Sequence, residues 1–241
     1  MNKRNLFAYV LVFLFAMACL NAGPLIASEK GSKETERAQQ AGTVLTEMMG
    51  MPEGGIPDEL MSRAKGIAVI PHVVKGAFGI GGRYGKGLMS QRDASGRWSA
   101  PAFIEIGGGS FGLQLGVEAT DLVLVFTDGK GIQSLMDGKV TLGADATVAA
   151  GPVGRKASAG TDIKLTSAIY SYSRSKGLFA GVSLDGAAVT MDDDANRKVY
   201  GKDMTGKEIV SMRNARPNRV VAPFVSALEK YSPSRRTTSR N

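Results

Sequence analysis

The sequence predicts an α+β fold: one domain with a mainly antiparallel, glycine-rich, barrel-like sheet at its core and helices at both ends. Three observations predict it. Apolar residues recur at helical spacing near the start (Ala38, Ala41, Leu45, Met48) and near the finish (Val220, Val221, Phe224, Val225, Leu228). Between these ends the apolar period is two, the signature of strands with one buried face. Finally, 23 of the 31 glycines fall between Gly66 and Gly186, where turn sequences separate the apolar runs.

Taken in order, Lys33 to Met49 reads as the first helix. Pro57 at a first helical position, Asp58 and Glu59 in the first turn and Gly66 as terminator outline a second, short one. Ile67 to Ile70 reads as a buried strand ended by Pro71. Phe111, Leu113, Leu115, Val117 and Ala119 then alternate with polar or glycine positions. Leu122 to Phe126 is a continuous apolar run, which predicts a strand covered on both faces. Ile132 to Met136 predicts one or two helical turns, and Val140 to Ala150 predicts one face of a single strand. In Tyr172 to Gly186, Arg174 and Lys176 precede an alternating strand that starts at Leu178. The last helix follows Pro217, with Pro223 expected to kink or restart it.

The N-terminus carries an export signal by composition. Lys3 and Arg4 precede an uncharged apolar run from Leu6 to Leu20, short for a spanning helix and suited to a signal peptide over residues 1–27. Two exits are open: cleavage after Ala27, or lipidation of Cys19 within Ala16-Met17-Ala18-Cys19. Either route predicts an exported protein, periplasmic or associated with the outer membrane. Residues 28–34 read as a linker, 35–231 as the folded domain and 232–241 as a basic disordered tail. Cys19 is the only cysteine, so no intramolecular disulfide contributes to stability. The net charge of +8 favours anionic partners.

The residues supply little for catalysis, a cofactor or a metal. Gly107-Gly-Gly-Ser-Phe-Gly112 matches the spacing of a dinucleotide loop, but a strand pattern follows where a helix is required. Gly76 to Gly82 reads as a tight loop or bulge, since no Walker sequence occurs. Asp192 to Asn196 begins like a calcium loop, yet Arg197 stands where glycine is needed, so a helix-capping turn is expected. His72 is the only histidine and no nucleophile elbow exists; a zinc site lacks ligands. The expectation is therefore a protein that is not an enzyme, with no cofactor and no metal.

The cations carry the positive case. Lys65, Lys75, Arg83 and Lys86 lie near the first glycine cluster, Arg155 and Lys156 follow Gly151-Pro-Val-Gly154, and Arg174 and Lys176 precede the late strand. Placed at loops or strand ends, such groups converge with backbone N–H groups on phosphates. Nucleic acid is not expected, given the export signal and an aromatic content of only 7%.

These segments resemble the SYLF lipid-binding domain family, whose relatives include fungal actin-patch regulators. The resemblance rests on Ala64 to Pro71, Lys75 to Gly82, Gly96 to Pro101, Gly107 to Gly116 and Thr120 to Val123, then on Leu142 to Ala146, Ala150 to Gly154 and Tyr172 to Gly186. It implies a non-enzymatic module that binds membrane lipid, with phosphoinositides the usual ligand of eukaryotic members. For an exported bacterial member the corresponding partner is an anionic phospholipid or another phosphorylated lipid, such as phosphatidylglycerol, cardiolipin or a lipopolysaccharide phosphate. Two other readings stand beside it: a scaffold that holds an envelope protein, and a lipid-transfer protein or hydrolase.

Overall fold

The computed structural model describes residues 32–51, 55–78, 80–111, 116–152, 166–175, 178–180, 184–212 and 218–232. The readings for Cys19, Arg155, Lys156 and Lys176, the signal peptide and the basic tail beyond residue 232 lie outside these residues.

Among the described residues the helices α1 (Lys33–Met49) and α2 (Asp58–Arg63) come first, and four long strands follow: β1 (Gly66–Phe78), β2 (Ile80–Gln91), β3 (Ala102–Phe111) and β4 (Gly116–Phe126). Then come α3 (Lys130–Met136), β5 (Lys139–Thr141), β6 (Val148–Ala150), β7 (Ile169–Ser175), β8 (Leu178–Ala180) and β9 (Ala188–Met191). Helices α4 (Asp193–Tyr200), α5 (Gly206–Ser211) and α6 (Ala222–Tyr231) close the chain. All nine strands belong to one curled sheet of order β5-β9-β3-β2-β1-β4-β7-β6, with β8 also on β7. Among the strand pairs of the described residues, β6–β7 alone is parallel. The α+β expectation, with helices at both ends, therefore holds.

The sheet separates two cores. On one face Ile67, Val69, Leu88, Phe103, Val123 and Val125 pack against Ala38, Ala41, Leu45 and Met48 of α1 and Phe224 and Leu228 of α6. On the other, concave face Ala68, Ile70, Met89, Ile104, Leu122, Leu124 and Phe126 enclose Ile132 and Leu135 of α3. The run Leu122 to Phe126 thus alternates between two apolar layers, which explains its unbroken apolarity.

Three expectations are corrected. The strand read as ending at Pro71 continues to Phe78 through a β-bulge. Between Ile70 and Val73, β1 carries two residues opposite the single Asp121 of β4, and His72 takes φ 50°. The His72 N–H donates to the Asp121 carboxylate at 3.1 Å. Proline is tolerated because a bulge already interrupts the ladder. The bulge also reverses the parity of β1: even positions face the concave core before it, and odd positions (Val73, Lys75) do so after it.

The second correction concerns Val140 to Ala150. It is two three-residue strands on distant parts of the sheet, because residues 143–145 form a turn with Gly143 at φ 88° and Asp145 accepting from Thr141 N–H at 2.7 Å. The third concerns Gly76 to Gly82, which forms the ends of β1 and β2 around a hairpin, with the bulge four residues earlier than expected.

The ends are fastened by polar contacts. Asp192 caps α4, accepting from Ala195 N–H, so the Asp192 to Asn196 segment is the capping turn expected. Pro223 occupies the first turn of α6 and restarts the helix instead of kinking it. Ser232 is clasped: its carbonyl accepts from Arg92 at 2.7 Å and Trp98 Nε1 at 2.8 Å, and its hydroxyl donates to the Met61 carbonyl. Arg92 stacks 4.5 Å from the Trp98 ring centroid.

Candidate functional site

The helical layer crosses the sheet near the bulge, and the strand ends beyond it project past the helices. Four strands form this projection, with Ala119–Val74–Tyr84–Gly107 as one cross-strand row and Val117–Gly76–Gly82–Gly109 as the next. Among the described residues, the large hydrophobic side chains that stand exposed are Val74 (46%), Tyr84 (52%) and Val117 (74%), all on this one face. The opposite face of the same projection carries the row Glu118–Lys75–Arg83–Gly108. Charge and apolar surface are thus sorted onto two faces of one sheet.

Lys75 and Arg83 are direct cross-strand partners, and with Glu118 (opposite Lys75 on β4), Val73, Thr120 and Ser173 they line a cleft of about 60 Å³. Burial lowers the basicity of the Arg83 guanidinium. The strands run further than the sequence predicts, so Lys75, Arg83 and Lys86 lie within strands and not in loops.

The structure divides the other candidates. Lys86 reaches Asp192 at 2.7 Å and Glu105 at 3.4 Å; Asp192 also takes Arg37 at 2.9 Å. Burial alone would depress the Lys86 ammonium, but the Asp192 hydrogen bond and charge raise it. Arg174 is held by Asp121 at 2.8 Å and by Glu47 of α1, and the Asp121 bond makes its guanidinium more basic than usual. These two cations fasten α1 to the sheet. Lys65 is exposed at the far end of β1, ten positions from Lys75, a separation of about 30 Å. One ligand headgroup cannot span both.

A second depression of about 330 Å³ lies between α1 and the bulge, lined by Glu36, Gln40, Glu47, His72, Asp121 and Arg174. His72 is exposed there, and its contribution is its backbone geometry. A third, of about 260 Å³, adjoins the Ser232 clasp at Arg97, Trp98 and Met212. No cluster of three or more metal-ligating side chains occurs among the described residues. No helix among them is long and apolar enough to cross a membrane. Gly107 to Phe111 is strand, not the loop-to-helix turn that a dinucleotide phosphate site requires.

Sequence reasoning missed the carboxylate partners, since Asp121 and Arg174 stand 53 positions apart and Lys86 and Asp192 stand 106 apart. It also missed the apolar face of Val74, Tyr84 and Val117, which three different strands supply.

Comparison with known proteins places this geometry. The family model described as "Ysc84: Las17-binding protein actin regulator" matches residues 107–231. LAS seventeen-binding protein 3 of Saccharomyces cerevisiae is 40% identical over 186 residues, covering 74% of this chain and 40% of the yeast protein. Protein YSC84 of the same organism is 43% identical over 161 residues, 66% of this chain and 34% of its own length. SH3 domain-containing YSC84-like protein 1 of Homo sapiens is 34% identical over 187 residues, 77% of this chain and 54% of the human protein. The chain therefore spans about half or less of the length of these curated relatives. With the model match and the long, collinear identity together, the chain belongs to the Ysc84 family, the family of the SYLF domain.

Proposed function

We propose that the protein is a non-enzymatic lipid-binding module of a bacterial cell envelope, exported by its N-terminal segment and anchored by lipid where Cys19 is modified. It binds an anionic phospholipid or another phosphorylated lipid. The observation that carries this reading is the pairing of Lys75 with Arg83 on the sheet projection that the helices leave uncovered. Lys86 and Arg174 fasten α1 to the sheet, whereas Lys75 and Arg83 stand side by side at the cleft on the projection, so the headgroup role falls first to that pair. Arg155, Lys156 and Lys176 are the further cations of the same proposal, and Lys65 serves a separate contact.

The test is flotation of the protein with phosphatidylglycerol-containing and phosphatidylcholine vesicles across a salt series. Each cation near an anionic surface contributes about 1 kcal/mol, so Lys75→Ala with Arg83→Ala should weaken binding roughly thirtyfold at low salt. Equal binding to the two vesicle types, or a double variant that binds like wild type, defeats the proposal.

A protein partner is the second reading, because the family description and the yeast relative's name specify Las17 binding for those proteins. Crosslinking that recovers one stoichiometric protein irrespective of lipid would favour it.

A further inference from the structure

We infer that the cleft at Lys75 and Arg83 reads a hydroxyl of the bound headgroup as well as its phosphate, with Glu118 as the residue that accepts from that hydroxyl. This deepens the lipid-binding reading and rests on it. Glu118 of β4, Lys75 of β1 and Arg83 of β2 stand in one cross-strand row. Lys75 therefore has a carboxylate on one side and a guanidinium on the other. Opposite charges placed directly across two strands commonly pair. Among the described residues, however, neither Lys75 nor Glu118 forms an ion pair or a side-chain hydrogen bond. Arg37, Lys86 and Arg174, by contrast, are each held by a carboxylate. The row thus sets hydrogen-bond donors and an acceptor side by side at one cleft, with Lys75 and Glu118 both open to a ligand.

The ligand chemistry follows from the order of these groups. Lys75 and Arg83 only donate, so they take the phosphate oxygens, and Arg83 is half-buried, where charge is less screened. A carboxylate only accepts, so whatever meets Glu118 must carry a donor. Adjacent strands lie about 4.8 Å apart, which places that donor a few bonds from the phosphorus. Two cations face one carboxylate in the lining, so a ligand with a single negative charge balances it. An ethanolamine headgroup, whose ammonium cancels its phosphate, leaves that balance unmet. A headgroup with no donor sets its phosphate beside Glu118 with nothing between two like charges. A phosphodiester that bears a free hydroxyl, as in a glycerol or other polyol headgroup, satisfies both sides. The floor beneath is buried and apolar (Val73, Leu122 and Leu184), which suits the carbon skeleton linking phosphate to hydroxyl.

The test floats the full chain with phosphatidylcholine vesicles that contain equal fractions of either phosphatidylglycerol or phosphatidylethanol. Both are phosphodiesters of the same charge, and only the first carries headgroup hydroxyls. Wild type should bind the phosphatidylglycerol vesicles about tenfold more tightly, the worth of one hydrogen bond to a charged acceptor. Glu118→Ala, a change at an exposed position, should bind the two vesicle types alike. A carboxylate that merely repels phosphate would instead let Glu118→Ala raise both affinities by one factor, and an unchanged ratio overturns the proposal. Equal binding of the two lipids by wild type overturns it as well. The headgroup reading survives that result if binding still falls with salt and with Lys75→Ala plus Arg83→Ala, whereas wild type that binds neither vesicle overturns both readings. Soluble glycerophosphoglycerol separates two sources of the same chemistry once the preference is found. Release of the protein from vesicles at a matched headgroup concentration assigns the free phosphodiester, retention assigns the lipid, and either result upholds Glu118 as the reader.

Discussion

Gly87→Ala is expected to destabilise the protein by about 3 kcal/mol or more, through overpacking against immovable backbone. Gly87 lies in β2 where the bulged part of β1 crosses closest. A Cβ there would stand 2.1 Å from the Val69 carbonyl oxygen and 2.8 Å from Ile70 Cα. Both atoms are backbone in the centre of the sheet, so no rotamer change relieves the overlap. The strands must part, and the two cores lose contact with them. For a domain of this size the melting temperature should fall by about 6–12 °C. Gly82→Ala is the control: five residues along the same strand, it meets only an oxygen at 3.8 Å and should shift stability by less than about 0.5 kcal/mol. Equal losses in the two variants would show that β-propensity, not the close crossing, governs this strand.

Asp192→Asn is expected to cost about 2–3 kcal/mol at neutral pH. Asp192 is buried, yet it joins Arg37 of α1, Lys86 of β2 and the N–H of Ala195 in α4. Removing its charge leaves the mostly buried Arg37 guanidinium without its counter-ion and the Lys86 ammonium with Glu105 at 3.4 Å alone. Because both partners retain some solvent, the cost falls below the 3–5 kcal/mol typical of a fully buried broken pair. Burial pushes the Asp192 carboxyl upward, but the bonds from Lys86, Ala195 N–H and Arg37 outweigh it and hold it below its ordinary value of 3.8. The sign follows: a carboxyl depressed in the folded state contributes stability fully present above its unfolded pKa and lost as pH falls through the folded one. Urea midpoints should therefore separate wild type from Asp192→Asn at pH 7 and converge toward pH 2. A gap that persists unchanged into acid would mean that the charge contributes nothing and the loss lies in packing.

How much of this was legible in the sequence depends on the range of each interaction. Helix α1 matches its expected bounds because its apolar stripe is local, and α4 follows from the Asp192 cap for the same reason. The end of β1 was misread because proline normally closes a strand, whereas Asp121, 49 residues away, supplies the bond that stabilises a bulge. Val140 to Ala150 keeps its alternation across a turn, and periodicity alone does not register that break. At the candidate site, residue type identified the cations correctly as charges but not their company. That Lys86 meets Asp192 and Arg174 meets Asp121 emerges only when distant segments are brought together by the fold. The exposed apolar face of Val74, Tyr84 and Val117 likewise exists only once three strands are aligned, since no single strand contains it.

The bulge at Pro71 and His72 acts as a change of reading frame for the sheet. Val74 and Lys75 are consecutive in sequence and stand on opposite faces, and which face each occupies is set by one supernumerary residue. A family member lacking that residue and keeping every distal pairing would still hold Val74 beside Tyr84 and Lys75 beside Arg83, because directly opposed residues share a face. The bulge thus lets a sequence whose alternation changes phase at Pro71 and His72 keep its two surfaces, and only a one-residue slip of β1 against β2 and β4 would exchange them.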